Sequence, residues 1–401
     1  MSAAALSDRV HEPVSTGELE RRWSALRSAM EREGIDALVM HTSTDCLGGY
    51  AKYVSDTSTA DGYPLSVVFP RDAAMTLVTH GPHGAERTLG PDGDGLLRGV
   101  RAVRSTWSFS SAHYCRHYDA EAIVKALEPY ARGAVGLVGT TQMPHPLVEH
   151  LRRELPRAEF SEASDLVDRV KAIKSDEEKD GIRRAAALQT AAFEAALAAI
   201  EPGRREWDVV VAAETKSREL GSEYGVLMIG SAPPGEPALP NVPRHQNRTI
   251  QAGDRLTLLV ESAGPGGLFT ELGRMLVVGK ATDAMHEEFE FALGAQRFCR
   301  ELLVPGASSA EVFDSYNAYL REHGRDEERR LHCHGQGYDI VERPLVRSDE
   351  SMALAEHMNI ACHPMYVRDG VMYWVCDGFL IGPDGASEPL HDVPQKIFEL
   401  A

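Results

Sequence analysis

Pro202-Gly203-Arg204-Arg205-Glu206 opens a segment that closes on Arg218-Glu219-Leu220-Gly221, and Pro305-Gly306-Ala307-Ser308-Ser309 opens another that closes on Arg321-Glu322-His323-Gly324. The internal spacing is the same in both, with Val209 and Val312 in register. Each Pro-Gly follows a long helical stretch, one reaching Ile200 and the other Leu303. Each reads as the stop of that helix, because proline cannot continue it and glycine accepts the left-handed turn beyond it. The polar residues that follow start a new helix. Two copies of a helix–turn–helix unit predict a pseudo-twofold domain whose chemistry lies in the groove between its halves.

Upstream of the first copy, Ser175 and Glu178 have the spacing of a capping box, and an Ala-rich helix follows to Ile200. Downstream, Ser231 to Gln246 is a polar, Pro-rich loop long enough to suggest a role. Arg255 to Glu261 and Arg274 to Val278 read as strands, with a sharp turn at Gly264-Pro265-Gly266-Gly267 between them. Asp283 to Leu303 and Ser308 to His323 read as helices. Met358 to Cys362, Val371 to Val375 and Gly378 to Ile381 read as strands with turns at Arg368-Asp369-Gly370 and Pro383-Asp384-Gly385. This half is therefore α+β, with helices on one face and largely antiparallel strands on the other.

The first part of the chain alternates helix and strand. Ser15 and Glu18 form a second capping-box pattern, and Leu19, Trp23, Leu26 and Met30 recur at helical spacing up to Gly34. Strands are expected at Ala37 to Met40, Pro64 to Phe69, Ala74 to Thr79 and Ala134 to Val138, with helices at Glu121 to Tyr130 and Pro146 to Leu155. That pattern describes an α/β domain. The boundary falls near Val170 to Lys174, which gives residues 1–170 and 171–401 as the two domains.

The chain has 401 residues, 43% of them apolar and 25% charged, with a net charge of −18. Such an acidic balance argues against nucleic-acid binding, which needs a basic surface. Met1 to Val14 carries no basic flank followed by an apolar run, so no signal peptide is expected. No apolar stretch is long enough to cross a membrane as a helix. The six cysteines (Cys46, Cys115, Cys299, Cys333, Cys362 and Cys376) show no paired spacing and suit reduced thiols in a cytoplasm.

Four places hold residues capable of chemistry: His332-Cys333-His334-Gly335-Gln336-Gly337 with Asp339 and Glu342 beyond it; Cys362-His363-Pro364; Cys376-Asp377-Gly378; and Thr270-Glu271-Leu272-Gly273-Arg274. None is a metal motif by local spacing. Each also has a plain alternative: loop histidines, a small buried cysteine, a Glu271–Arg274 ion pair.

In order along the chain, Ile173-Lys174-Ser175, Gly253-Asp254, Gly267 to Glu271 and Arg274, His334-Gly335-Gln336-Gly337 with Asp339, Glu342 and Pro344, His363-Pro364, and Asp377 with Asp384-Gly385 resemble the pita-bread family, peptidase family M24, over roughly residues 165 to 395. The N-terminal domain is similar to that of creatinase and prolidase. The family holds aminopeptidases, prolidase and creatinase. The resemblance implies an α/β N-terminal domain, an α+β pita-bread domain with a pseudo-twofold repeat, and a homodimer with Tyr50 to Tyr63 reaching the neighbouring subunit's site.

Departures from the family pattern decide the expected chemistry. The peptidases hold two metals with two Asp, one His and two Glu. Counted against that pattern, the first Asp falls on Val260, the second on Glu271, the histidine on His334, and the two glutamates on His363 and Cys376. A further family histidine falls on Val341, and a substrate-facing one near Val242, three residues from His245. Val260 has no lone pair, which argues against a dinuclear Mn, Co or Zn centre and against ordinary aminopeptidase activity. Creatinase-like hydrolysis of a C–N bond in a small guanidino-, amidino- or amino-acid-like metabolite is then implied. His334 would be the general acid/base, Glu271 and Glu342 would orient substrate, and His363 and Cys376 would line the pocket. Substrate contacts are expected from His245, Arg343, Arg347 and Tyr50. Two alternatives stand beside this: a single Fe or Zn held by Glu271, His334, His363 and Cys376, used for hydrolysis, lyase or oxygen chemistry; and a binding module without catalysis.

Overall fold

The computed structural model describes residues 12–44, 49–90, 93–115, 117–241 and 246–401. The chain divides into two units, Met1–Lys171 and Ala172–Ala401.

In the first unit, strands β1 (Ala37–Thr42), β2 (Leu65–Pro70), β3 (Met75–His80), β4 (Glu86–Thr88), β5 (Val100–Thr106), β6 (Ala134–Val138) and β7 (Glu159–Glu162) form one sheet in the order β4-β5-β3-β2-β1-β6-β7. The helices are α1 (Thr16–Glu33), α2 (Gly49–Ser55), α3 (His117–Leu127), α4 (His145–Glu154) and α5 (Ser164–Lys171). Ser15 caps α1 by accepting the Glu18 N–H at 3.1 Å. The expected capping box is only half made, because the Glu18 carboxylate is taken by Arg21 and by the buried Arg22. A buried guanidinium needs a counter-charge more than an N-cap amide needs a second acceptor. Strand β5 has no counterpart among the elements expected from sequence, since Arg101 and Arg104 interrupt its apolar run.

The second unit carries the repeat. Helices α6 (Asp176–Ala199) and α7 (Glu206–Glu219) form the first copy; α8 (Asp283–Leu302) and α9 (Ser309–Glu322) form the second. The stop glycines Gly203 and Gly306 adopt φ 94° and 88°, where any Cβ would be strained. Both turns are tied in the same way. Gly203 N–H donates to the Ile250 carbonyl and Ile250 N–H to that of Arg204, while Gly306 donates to Leu354 and Leu354 to Ala307. Ser175 and Glu178 form the full capping box at the start of α6.

Each helix pair covers its own sheet. Strands β8 (Gly225–Ala232), β9 (Arg255–Ser262), β10 (Leu272–Val278) and β18 (Phe398–Leu400) run in the order β18-β10-β9-β8. Ala192, Phe193, Val209 and Val210 of α6 and α7 pack on Leu256, Leu258, Val260, Leu272 and Leu276 of this sheet. Strands β11 (Cys333–Gly335), β12 (Glu342–Leu345), β13 (Asn359–Cys362), β16 (Asp377–Gly382) and β17 (Gly385–Ala386) run in the order β12-β11-β13-β16-β17 under α8 and α9. A two-stranded ribbon, β14 (Met365–Arg368) and β15 (Val371–Trp374), completes the unit. Strand side chains alternate between faces. With Leu258 and Val260 facing the helices, Leu259 and Glu261 emerge on the other side of the sheet, as do Glu271 and Gly273.

Arg274 does not pair with Glu271. Its guanidinium, fully buried, binds Asp377 (2.8 and 3.2 Å) and the carbonyls of Gly273, Cys376, Val393 and Pro394.

Glu328, buried behind β14, accepts from the Tyr316 hydroxyl at 3.1 Å, the Met365 N–H at 3.0 Å and Arg330 at 3.0 Å. Burial pushes its carboxyl up to about 7 against these donors. Because the folded value exceeds the unfolded one, the folded state holds the proton longer. The resulting stabilisation is complete below the unfolded pKa and is lost as pH rises through 7. Glu328→Gln is expected to remove this pH dependence, flattening a loss of up to about 3 kcal/mol between pH 4.5 and 8. Thermal unfolding of both proteins across that range checks it, and identical slopes would speak against the assignment.

Candidate active site

Glu271 sits at the entrance to β10, His334 in the middle of β11, and His363 directly after β13. Register brings the two imidazoles together. β11 pairs antiparallel with β13, and the His363 N–H donates to the His332 carbonyl at 2.8 Å. Their rings meet edge to face at 5.1 Å. One ligand atom each from Glu271, His334 and His363 lies within 4.8 Å of the other two, and all three residues are buried.

The hydrogen bonds restrict the protons. His334 Nδ1 lies 3.0 Å from the Gly335 carbonyl, which only accepts, so Nδ1 carries a proton. Nε2 faces Glu271 Oε2 at 3.5 Å. A neutral His334 would then point a lone pair at a carboxylate oxygen. A positive charge, either a proton or a cation, is needed between them. Burial pushes the Glu271 carboxyl up, but His363, His334 and the Cys376 thiol outweigh it and hold it well below the usual carboxylate range. Burial draws His363 down to about 4, and its Nδ1 has no hydrogen-bond partner among the described residues.

Cys376 is placed by a backbone exchange with Gly273, each N–H donating to the other's carbonyl at 3.0 and 3.1 Å. Burial and the Glu271 carboxylate push its thiol up, so it stays a neutral thiol. It does not join the three converging ligand atoms.

A further acid at the site escapes the family count. Extending the β9–β10 register (Val260 opposite Leu272) sets Glu261 opposite Glu271. Val260 is packed in the core under the helices, whereas the Glu261 carboxylate accepts from Gln336 Nε2 at 2.8 Å. Burial and the neighbouring Glu271 charge raise Glu261, so of the two carboxyls it is Glu261 that keeps a proton. Strand alternation was the available signal: Leu256, Leu258 and Val260 are apolar and every second residue, which turns Glu261 the other way.

The other expected residues are engaged elsewhere. Glu342 forms a buried ion pair with Lys174 at 2.9 Å and accepts the Asp339 N–H. Arg343 binds Glu350, and Arg347 pairs with Asp349 on the surface. Tyr50, in the first unit, donates to Asp168 at 2.8 Å. His245 and Val242 lie outside the described residues. His332 is fully buried against Phe313 and Tyr316.

Whether these residues suit the metals of the family can be judged from the donors. Two imidazoles and one carboxylate converge, a set sufficient for one divalent cation. Two cations need bridging carboxylates; among the described residues Glu271 is the one carboxylate in that group, and the Glu261 carboxylate beside it accepts from Gln336.

Comparison with known proteins gives the same frame. The profile of metallopeptidase family M24 matches residues 180–383. The Xaa-Pro dipeptidase of Pyrococcus furiosus is 26% identical over 259 residues, covering 63% of this chain and 72% of its own. The creatinase of a Bacillus species is 27% identical over 325 residues, covering 79% and 74%. The crystal structure of the Xaa-Pro dipeptidase from Bacillus anthracis superposes with a TM-score of 0.75 at 20% identity, covering 95% of this chain and all of that one. The dipeptidase PepE from Mycobacterium ulcerans gives 0.75 at 18% identity, covering 97% and 99%.

Proposed function

The chain belongs to metallopeptidase family M24, and from that premise we propose that it hydrolyses a C–N bond in a small polar metabolite of guanidino, amidino or amino-acid type. The carrying observation is the 3.5 Å approach of His334 Nε2 to Glu271 Oε2, with Nδ1 already committed to a carbonyl. In this reading the shared charge is a proton. His334 donates it from Nε2 to the leaving nitrogen and takes one back from the attacking water, and Glu271 stabilises the imidazolium that exists before the first transfer and again after the second. Burial of both groups excludes bulk water and strengthens their coupling. Xaa-Pro dipeptidases and creatinase among the relatives support C–N cleavage as the reaction class. The test is release of amine, ammonia or urea from a panel of such compounds, lost in Glu271→Gln.

A second reading has one specific observation in its favour, the unpartnered His363 Nδ1 beside the Glu271–His334 pair. Here Glu271, His334 and His363 hold one divalent cation. When bound, it supplies Lewis-acid polarisation and a water of lowered pKa. Elemental analysis of protein grown with added Fe and Zn separates the readings. About one equivalent that disappears in His363→Ala favours the cation, and less than about 0.1 equivalent favours the proton.

We further propose a homodimer, so the solution mass should be twice 43.9 kDa. Sedimentation equilibrium measures it, and a monomer at micromolar concentration would contradict the assignment.

A further inference from the structure

Beside the polar cluster stands an apolar wall that the reaction class does not use. Met228 lies opposite Leu259, and Leu259 opposite Gly273, across β8, β9 and β10. Gly273 bridges to Cys376, two residues beyond Trp374. Leu259, Met372, Trp374 and Cys376 pack together, with the half-buried Met228 and Met365 against them. Leu259 and Gly273 stand two residues from Glu261 and Glu271 on the same face of β9 and β10, so this wall adjoins the site.

Trp374 is the centre of the wall. A Cβ on Gly273 would fall 2.3 Å from its Cη2, so the indole lies directly over the glycine backbone and cannot be shifted that way. The side chain is 3% exposed, yet its Nε1–H has no hydrogen-bond partner among the described residues. Buried indole N–H groups ordinarily find an acceptor, and leaving one unmade costs stability. Two thioethers and a leucine packed in one cluster with this indole make a surface that adapts to an apolar branch.

We propose that Trp374 is a specificity residue: its indole N–H receives a carbonyl or carboxylate oxygen of the substrate, and Met228, Leu259 and Met365 receive an apolar side chain next to that oxygen. This deepens the C–N hydrolase reading and rests on it for the placement of the scissile bond. The substrate class narrows from compact guanidino acids to acylated or amidated amino acids with an apolar side chain.

Equilibrium binding to the full-length protein tests this without turnover, using N-acetyl-L-leucine and N-acetylglycine as probes. Wild type should bind the leucine compound at least about tenfold more tightly, as burial of an isobutyl group requires. Trp374→Phe keeps the ring and removes the donor, and should weaken both probes by about three- to tenfold. Met228→Ala, at a half-buried position, should cut the preference for N-acetyl-L-leucine to about threefold or less. Equal affinity for the two probes, binding of neither, or unchanged affinities in Trp374→Phe would overturn the proposal. A tenfold preference without hydrolysis of any C–N substrate would refute the proposed activity and leave the specificity role standing; hydrolysis without the preference would do the reverse.

Discussion

His334→Ala is expected to lower kcat/KM for C–N hydrolysis by about 10²–10⁴, the span that a positioned acid/base group contributes. The fold should survive. His334 lies on a three-residue strand whose backbone bonds to β12 and β13 do not involve the ring. Among the described residues its side chain meets the adjacent Gly335 carbonyl and the Glu271 carboxylate. The loss should therefore fall on turnover with circular dichroism unchanged. Glu271→Gln is the sharper companion, because it keeps the shape and removes the charge that faces Nε2. Retention of more than about a tenth of wild-type kcat/KM in either variant would remove His334 from the acid/base role.

The second large effect is on stability. Arg274→Met should cost about 3–5 kcal/mol, the range seen when one partner of a buried ion pair is deleted. Among the described residues Asp377 would keep amide donors alone, from Gln395 at 2.8 Å and Gln296 at 3.3 Å. Four backbone carbonyls would lose their shared donor as well. In a unit of this size the melting temperature should fall by roughly 10 °C. Because the same guanidinium holds the Cys376 carbonyl beside Gly273, the variant should also loosen the backbone exchange between those two residues. Arg274→Lys should recover only part of the loss, since an ammonium cannot make the forked contact. A melting temperature within 2–3 °C of wild type, about 1 kcal/mol on this scale, would contradict the role given to Arg274.

What sequence alone conveyed depended on how local the cause was. The Pro-Gly stops at 202–203 and 305–306 are set by their own residues, and both appear as glycine turns tied by matching backbone bonds. The capping box at Ser175 is equally local. The one at Ser15 failed on a contact with Arg22 that also reaches the Tyr53 carbonyl, 31 positions away. Strand β8 was missed because Gly225, Gly230 and Ser231 dilute its apolar pattern. The family resemblance, together with the order of motifs, named Glu271, His334 and His363, which do converge. It could not anticipate that Glu342 is bound by Lys174, 168 positions away, or that Arg274 is claimed by Asp377, 103 away. Counting residues along the hairpin landed on Val260, where register places the acid on Glu261. Position in a motif and direction of a side chain are separate quantities, and pairing across β9 and β10 fixes the second.

Glu271 and His334 are held here to act as one unit around one shared positive charge, and the double variant Glu271→Gln/His334→Ala measures that directly. Its kcat/KM for C–N hydrolysis should be no lower than that of the more damaged single variant, because removing either partner already removes the unit. Losses that multiply, each substitution adding its full factor to the other's, would mean that the two residues work independently and that no charge is shared between them.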